Sequence, residues 1–257
     1  MVIDNPRLWL IGGTGDSRRL TENLLTQGFS LVVTVTTAIA RECYPIHPQL
    51  TVRVGRLTTQ DIPSFLEGHN IRAIVDVSHP FAVEISRLAA QYAQQQSLPY
   101  LRFERPPLPI TGQTIEVSDL ATLLTANYLH QKRVLLTLGA NWLPRFEPVQ
   151  NQAILFARIL PRLDSLQTAI AAGFTPDRLI ALRPPISEGL EQALWQQWRI
   201  EVVVSKASGT AGGEARKQTL AQALGIQLIR IARPQPLQGE ITYDHERVYQ
   251  FCRTHLL

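Results

Sequence analysis

Cysteine is nearly absent from this chain: Cys43 and Cys252 are the only two in 257 residues, and neither belongs to a C-x-x-C pair or to a histidine spacing of the zinc-binding kind. That excludes a disulfide framework and a structural zinc site, and makes buried, inert thiols the expectation. No apolar run approaches the roughly 20 residues of a membrane span, and residues 1–6 show neither a basic nor an apolar targeting region. The chain is therefore expected in the cytoplasm, with no membrane partner. Long polar tracts are lacking too, with hydrophobic residues at 45% and charged residues at 18%, which excludes a disordered or fibrous protein and implies a real core. Lysine is scarce, 3 residues against 22 arginines. The planar arginine fork holds carboxylates and phosphates bidentately, so the bias points to an anionic ligand, with ordinary surface solubility as the competing explanation. No basic run with interleaved aromatics, no helix-turn-helix signature and no basic tail is present, which argues against a nucleic-acid partner.

What the chain does have is a strand that runs into a glycine turn. Residues 8–11 are strand formers, Gly12, Gly13 and Gly15 follow, and Leu20, Leu24 and Leu25 recur at helical spacing. Glycine admits positive φ and close backbone approach, and amides at a helix N-terminus suit a phosphate. Gly13-Thr14-Gly15-Asp16-Ser17-Arg18 matches the dinucleotide fingerprint G-x-G-x-x-G at its first two glycines, with Arg18 where the third belongs. Gly12, Gly13, Thr14, Gly15, Asp16, Ser17 and Arg18 are thus the expected pyrophosphate loop. An NAD-binding unit carries an acid about 20 positions further on, for the ribose hydroxyl. Here the strand at 29–35 leads instead to Thr36, Thr37 and Arg41. Hydroxyls and a guanidinium suit a 2′-phosphate, so NADPH is the expected cofactor and these three residues its 2′-phosphate ligands.

The strand–helix alternation continues. A strand at 71–77 ends in Asp76-Val77-Ser78-His79-Pro80, placing His79 at a strand C-terminus, where open α/β sheets bind ligands, with Pro80 leading into the next helix, at 84–96. Arg105-Pro106-Pro107-Leu108-Pro109 cannot continue a sheet or helix and reads as a stiff connector. It divides a dinucleotide-binding domain, 1–108, from a second α/β domain, 109–257. In the second, strands are expected at 114–117, 133–138, 153–159, 179–182, 200–204 and 226–231, and helices at 119–130, 163–172, 187–198, 214–225 and 243–254. A helical or turn segment follows the strand at 133–138 and runs through Trp142. Ser205-Lys206-Ala207-Ser208-Gly209-Thr210-Ala211-Gly212-Gly213 follows an apolar strand and is a second anion-binding candidate. The expected fold class is α/β, two Rossmann-like parallel-sheet domains with the active site in the cleft between them.

Two other motifs compete. Gly15-Asp16-Ser17 with Asp76-x-x-His79 resembles the nucleophile block and acid–base pair of GDS-type ester hydrolases, but in that family the Asp-x-x-His block lies near the C-terminus. Tyr128-x-x-x-Lys132 has the spacing of the proton-relay pair of short-chain dehydrogenases, yet Lys132 abuts a strand and reads as a helix-end lysine.

With these segments laid out, the chain resembles the precorrin-6A reductase family of cobalamin biosynthesis over most of its length. The resemblance rests on Gly12-Gly13-Thr14, Val75-Asp76-Val77-Ser78-His79-Pro80-Phe81-Ala82, Arg102-x-Glu104-Arg105-Pro106-Pro107, Thr137-Leu138-Gly139 and Ser205-Lys206-Ala207-Ser208-Gly209. Ser78 and Ser205 stand where that family usually has threonine, and Lys217 stands where its helix carries a lysine. The resemblance implies NADPH-dependent reduction of one double bond in an anionic tetrapyrrole, precorrin-6A or its cobalt form. The candidate catalytic residues are the cationic or acidic groups at strand ends facing the expected cleft, Lys206 as electrostatic clamp and His79, the latter alternatively a residue that positions nicotinamide or a propionate. Ser78 is the expected further cofactor contact and Arg102, Arg105, Ser208 and Gly209 the expected substrate contacts, and no residue is an obvious metal ligand. An NADP-binding sensor without turnover and an ester hydrolase using Ser17 are the alternatives.

Overall fold

The computed structural model describes residues 5–209, 212–234 and 239–257. Along the chain come β1 (Arg7–Ile11), α1 (Gly15–Thr26), β2 (Ser30–Val35), α2 (Ala38–Arg41), β3 (Leu50–Val54), α3 (Asp61–Gly68), β4 (Ile71–Asp76), α4 (Val83–Gln95) and β5 (Tyr100–Phe103). Next are β6 (Thr114–Val117), α5 (Leu120–Thr125), β7 (Arg133–Leu136), a 3-10 segment (Ala140–Val149), β8 (Ile154–Ile159), α6 (Leu163–Ala171) and β9 (Leu179–Ala181). Then follow α7 (Glu188–Gln197), β10 (Val202–Lys206), α8 (Glu214–Leu224), β11 (Gln227–Ile231), β12 (Glu240–Thr242) and α9 (His245–Leu256).

The chain divides into two compact units, one of Met1–Pro106 with Pro234–Leu257, the other Pro107–Arg233. The first holds a six-stranded sheet in the order β12-β5-β4-β1-β2-β3, with every pairing parallel. Alternate residues of its central strands face opposite sides, as the two-residue period of a strand requires. Leu8, Leu10, Leu31, Val33 and Val75 bury against α1 and α9, while Trp9, Ile11, Val32 and Ile74 bury against α3 and α4. A parallel sheet covered on both faces explains the continuous apolar runs of β1, β2 and β4.

The second unit repeats the plan in the order β6-β11-β10-β7-β8-β9, again all parallel. Leu135, Phe156, Val203 and Leu228 form one of its cores with Trp195 of α7 and Leu220 of α8. In each sheet the strand order reverses direction at the centre, between β1 and β4 in the first and between β7 and β10 in the second. Such a reversal opens a crevice at the strand C-termini, the place where doubly wound sheets take ligands.

The expected second domain, 109–257, extends too far. Residues beyond Pro234 return to the first unit, where β12 pairs with the edge of β5 and α9 buries Val248, Phe251, Cys252 and Leu256 in the core that contains Leu101 and Phe103. Each large apolar side chain so covered contributes about 1.5–3 kcal/mol, which fixes the destination of the C-terminal helix. The helix expected at 119–130 shortens: it ends at Thr125 and is followed by a 3-10 turn at Asn127–Leu129.

Candidate functional site

At the β1/β4 reversal, the end of β1 turns through Gly12 and Gly13, the latter at φ 95°, into α1. Thr14 caps the helix: its Oγ1 accepts from the Ser17 amide at 3.1 Å and donates to the Val77 carbonyl at 2.9 Å, tying the helix start to the end of β4. Ser17 closes the capping box by accepting from the Thr14 amide at 3.0 Å, and its hydroxyl donates to the Thr14 carbonyl at 2.7 Å. That proton is then spent, so the Tyr44 phenol, 2.7 Å from Ser17 Oγ, is the donor in that pair, and it accepts from the Gly13 amide at 3.0 Å. Burial pushes the Tyr44 pKa up and keeps the phenol neutral.

Two glycines of this turn have different reasons to be glycine. A Cβ on Gly12 would lie 2.5 Å from the Tyr44 hydroxyl and 2.9 Å from a Val33 methyl, whereas one on Gly15 would meet nothing within 4 Å. Gly12 is required by the protein's own packing, and Gly15 leaves an open approach to the helix N-terminus. The Gly15 and Asp16 amides in that first turn have no acceptor among the described residues. Backbone donors and the positive end of the helix dipole suit a phosphate there.

Asp16 would oppose an anion, but its carboxylate is paired twice, with Arg19 at 2.9 Å and with Arg105. Burial raises its pKa, yet hydrogen bonds and charge from Arg105 and Arg19 outweigh this and hold it below the usual carboxylate value. Two guanidinium groups against one carboxylate leave the loop net positive. Arg105, expected on the substrate, lines a small recess beside the loop with Thr14, Asp16, Ser78 and Phe103.

Below that recess is a buried polar network. Asp76 is fully buried; its carboxylate is 2.6 Å from Arg102 and accepts from Tyr100 at 3.0 Å and from the Ser78 amide at 2.9 Å. Arg102 also donates to the hydroxyls of Ser78 (2.9 Å) and Ser86 (3.0 Å), and to Glu104 at 3.3 Å. Burial lowers the Arg102 pKa, but Asp76 and Glu104 more than restore it. Arg102, expected on the substrate, has its guanidinium buried and engaged in holding the end of β4. Ser78, expected on the cofactor, has its amide and hydroxyl in the same network. His79, half-buried, accepts the Phe81 amide at Nδ1 at 3.2 Å, so the neutral ring carries its proton on Nε2.

Beyond β2, Thr36 is exposed, Thr37 caps α2 by accepting from the Ala40 amide at 3.2 Å, and Arg41 is exposed with no ion pair among the described residues. The Thr37 hydroxyl retains a proton to donate. All three sit at the C-terminal edge of the first sheet, as does the glycine turn.

The β7/β10 reversal has a different lining. Thr137 Oγ1 donates to the Val204 carbonyl at 3.0 Å, a bond like that from Thr14 to Val77. Lys206, half-buried, places its ammonium 4.6 Å from the Trp142 ring centre, and burial lowers its pKa to about 8. Arg145 lies over the same ring at 5.5 Å. Ser208 is buried, its amide donating to the Lys206 carbonyl at 2.8 Å. The amide of Gly209 donates to Glu214 at 2.7 Å, and Glu214 pairs with Arg230. The amide of Gly209, expected on the substrate, is thus taken by the protein's own carboxylate. Thr210 and Ala211 of the expected loop lie outside the described residues. Lys217, also buried and lowered to about 8 by desolvation, donates to the Gly212 carbonyl at 3.3 Å.

The ester-hydrolase reading fails on this geometry. Ser17 is wholly buried with its hydroxyl engaged, and Asp76 pairs with Arg102. Lys132 pairs with Glu201 at 2.9 Å before β7, away from the strand C-termini. Tyr44, Trp142 and Arg145 were not singled out by sequence. Tyr44 carries no motif, and only the three-residue spacing of Trp142 and Arg145 after a strand end could have raised them. Among the described residues no helix is long and apolar enough to cross a membrane and no cluster of side chains could hold a metal ion.

Comparison with known proteins places this geometry in context. The sequence profile of a family described as precorrin-6x reductase CbiJ/CobK matches residues 7–253. A cobalt-precorrin-6A reductase of Synechocystis sp. is 56% identical over 100% of this chain and 99% of its own. A cobalt-precorrin-6A reductase of Priestia megaterium is 32% identical, covering 93% of this chain and 95% of its own. A precorrin-6A reductase of Mycobacterium tuberculosis is also 32% identical, covering 89% of each chain. The solved structure of a CobK precorrin-6A reductase superposes with a TM-score of 0.79 at 27% identity, covering 97% of both chains.

Proposed function

This chain belongs to the precorrin-6x reductase family, and on that premise we propose that it uses NADPH to reduce one double bond of cobalt-precorrin-6A to the 6B form in cobalamin biosynthesis. The cobalt form is favoured because the 56% identical relative carries that name. Cobalt would arrive inside the macrocycle as part of the substrate. The observation that carries the cofactor assignment is the first unit's strand edge, where a glycine turn with unpaired helix amides stands beside Thr36, Thr37 and Arg41 in place of an acid.

The residues present fit NADPH. Gly15 and Asp16 amides receive the pyrophosphate, Tyr44 and Ser17 hold the turn in shape from beneath, and Arg105 and Arg19 neutralise Asp16. Arg18 stays at the exposed rim as a further cation. Thr36, Thr37 and Arg41 take the 2′-phosphate. His79 stands at the end of β4, placed to orient the cofactor's amide. When bound, NADPH supplies a hydride, and the protein supplies binding, orientation and charge. The reduced macrocycle gains electron density, and Lys206 is the cation placed at a strand end to stabilise it. A tetrapyrrole with several acetate and propionate arms suits an arginine-rich protein.

The test is NADPH oxidation with cobalt-precorrin-6A, in wild type and Arg41→Ala. Loss of a charge-assisted bond costs about 1.5–3 kcal/mol. The variant is therefore expected to raise the KM for NADPH about tenfold to a hundredfold while leaving that for NADH nearly unchanged. Equal use of both cofactors by the wild type would remove the 2′-phosphate assignment. NADPH binding with no turnover of either precorrin form would return the sensor reading.

A further inference from the structure

The segment after β7 is a 3-10 helix ten residues long, Ala140–Val149. Runs beyond three or four residues are uncommon in this geometry, and its three-residue turn stacks positions i and i+3 directly over one another. Ala140, Leu143, Phe146 and Val149 are all buried, so one column of this helix is anchored in the core. The adjacent column carries Trp142 and Arg145, which the same period must eclipse. Their stacking follows, with the guanidinium 5.5 Å from the indole centre. Trp142 is fixed at its base by its amide, which donates to the Gly139 carbonyl at 3.2 Å.

Lys206 approaches the same ring from the end of β10, at 4.6 Å. One indole therefore carries two cations, one from each side of the strand-order reversal. Aromatic rings attract cations through their quadrupole, and a guanidinium so oriented still offers its N–H edge to an anion. Arg145 is exposed and has no acidic partner among the described residues. Gly139, at φ 88°, would carry a Cβ that meets nothing within 4 Å, so the backbone at the start of this segment is open to approach.

We propose that Arg145, held in place by Trp142, receives a carboxylate arm of the tetrapyrrole substrate at the second unit's strand-order reversal, beside Lys206. The inference rests on the proposed function and names a specificity-determining residue for it. Arg145 binds and Trp142 positions; neither takes part in bond making.

Two measurements test it. In steady-state reduction of cobalt-precorrin-6A, Arg145→Gln is expected to raise the substrate KM about tenfold to a hundredfold, the loss of one charge-assisted bond, with kcat and the KM for NADPH unchanged. Trp142→Leu is expected to raise the same KM, since it frees the guanidinium from its post. Lys132→Gln, which removes a cation at the opposite end of β7, is expected to change neither. Unaltered substrate KM in both Arg145→Gln and Trp142→Leu, with an active wild type, overturns the proposal. If the wild type reduces neither precorrin form, the proposed function has failed, and equilibrium titration with uroporphyrin, an unreactive polycarboxylate tetrapyrrole, decides the site by itself. Weaker uroporphyrin binding by Arg145→Gln than by Lys132→Gln supports the site. Equal binding by the two variants, or none by the wild type, overturns it.

Discussion

Lys206 stands in the β7/β10 crevice half-buried, and desolvation lowers its pKa to about 8. It is cationic below that pH and loses its charge above it, so any step that relies on its charge weakens as pH rises through about 8. The wild type is expected to show a basic limb in kcat near that pH. Lys206→Arg, whose guanidinium stays protonated, is expected to lose the limb even if its rate is lower throughout. A limb of unchanged position in Lys206→Arg would assign the titration to another group. At this scale the sequence was informative about which strand ends carry chemistry and uninformative about which side chains are spent internally. Arg102 looks like a carboxylate receptor until Asp76 is seen 2.6 Å away and fully buried. A buried pair of this kind costs about 3–5 kcal/mol when one partner is removed, and no local pattern announces it. Gly209 is similar: only the fold shows that Glu214 takes its amide.

The glycine turn and α1 act as one element. Gly12→Ala would press a methyl against Tyr44 and Val33, displacing the phenol that holds Gly13 and Ser17. It is expected to lower the melting temperature and cofactor affinity together, with overpacking of this kind costing about 1–3 kcal/mol. Gly15→Ala meets no protein atom within 4 Å. It is expected to match or exceed the wild-type melting temperature, since replacing glycine at a compatible site stabilises by about 0.4–1 kcal/mol, while weakening NADPH by blocking backbone approach. Thermal unfolding beside a fluorescence titration separates the two. A Gly15→Ala protein that binds NADPH like the wild type would place the pyrophosphate elsewhere. The turn itself was legible, because strand, glycines and helix period occur in sequence order. Tyr44 was not, because it reaches the turn from 27 residues beyond Ser17. The Trp142–Arg145 column was hidden for another reason: a helical period of three is rare enough that the segment reads only as helix or turn.

At the scale of the molecule, the chain lays down five strands of the first unit, builds the whole second unit, and returns to complete the first. The alternation of strands and helices made the two parallel sheets legible, and the proline-rich connector marked the first crossing. The return was not legible. The strand Glu240–Thr242 is three residues long, too short for a pattern. The period of α9 shows that one face is apolar without showing that its partners are Leu101 and Phe103, more than a hundred residues earlier.

The central claim, that this family member delivers hydride from NADPH to the tetrapyrrole ring, is tested most directly by isotope. NADPH carrying deuterium at C4 in one or the other stereochemical position is incubated with cobalt-precorrin-6A and the protein, and the product is weighed by mass spectrometry. Reduction adds one hydride from the cofactor and one proton from water. Label from one of the two positions, and not the other, is therefore expected in the product as a single non-exchanging deuterium. Reduced product that carries no deuterium from either position would contradict the account.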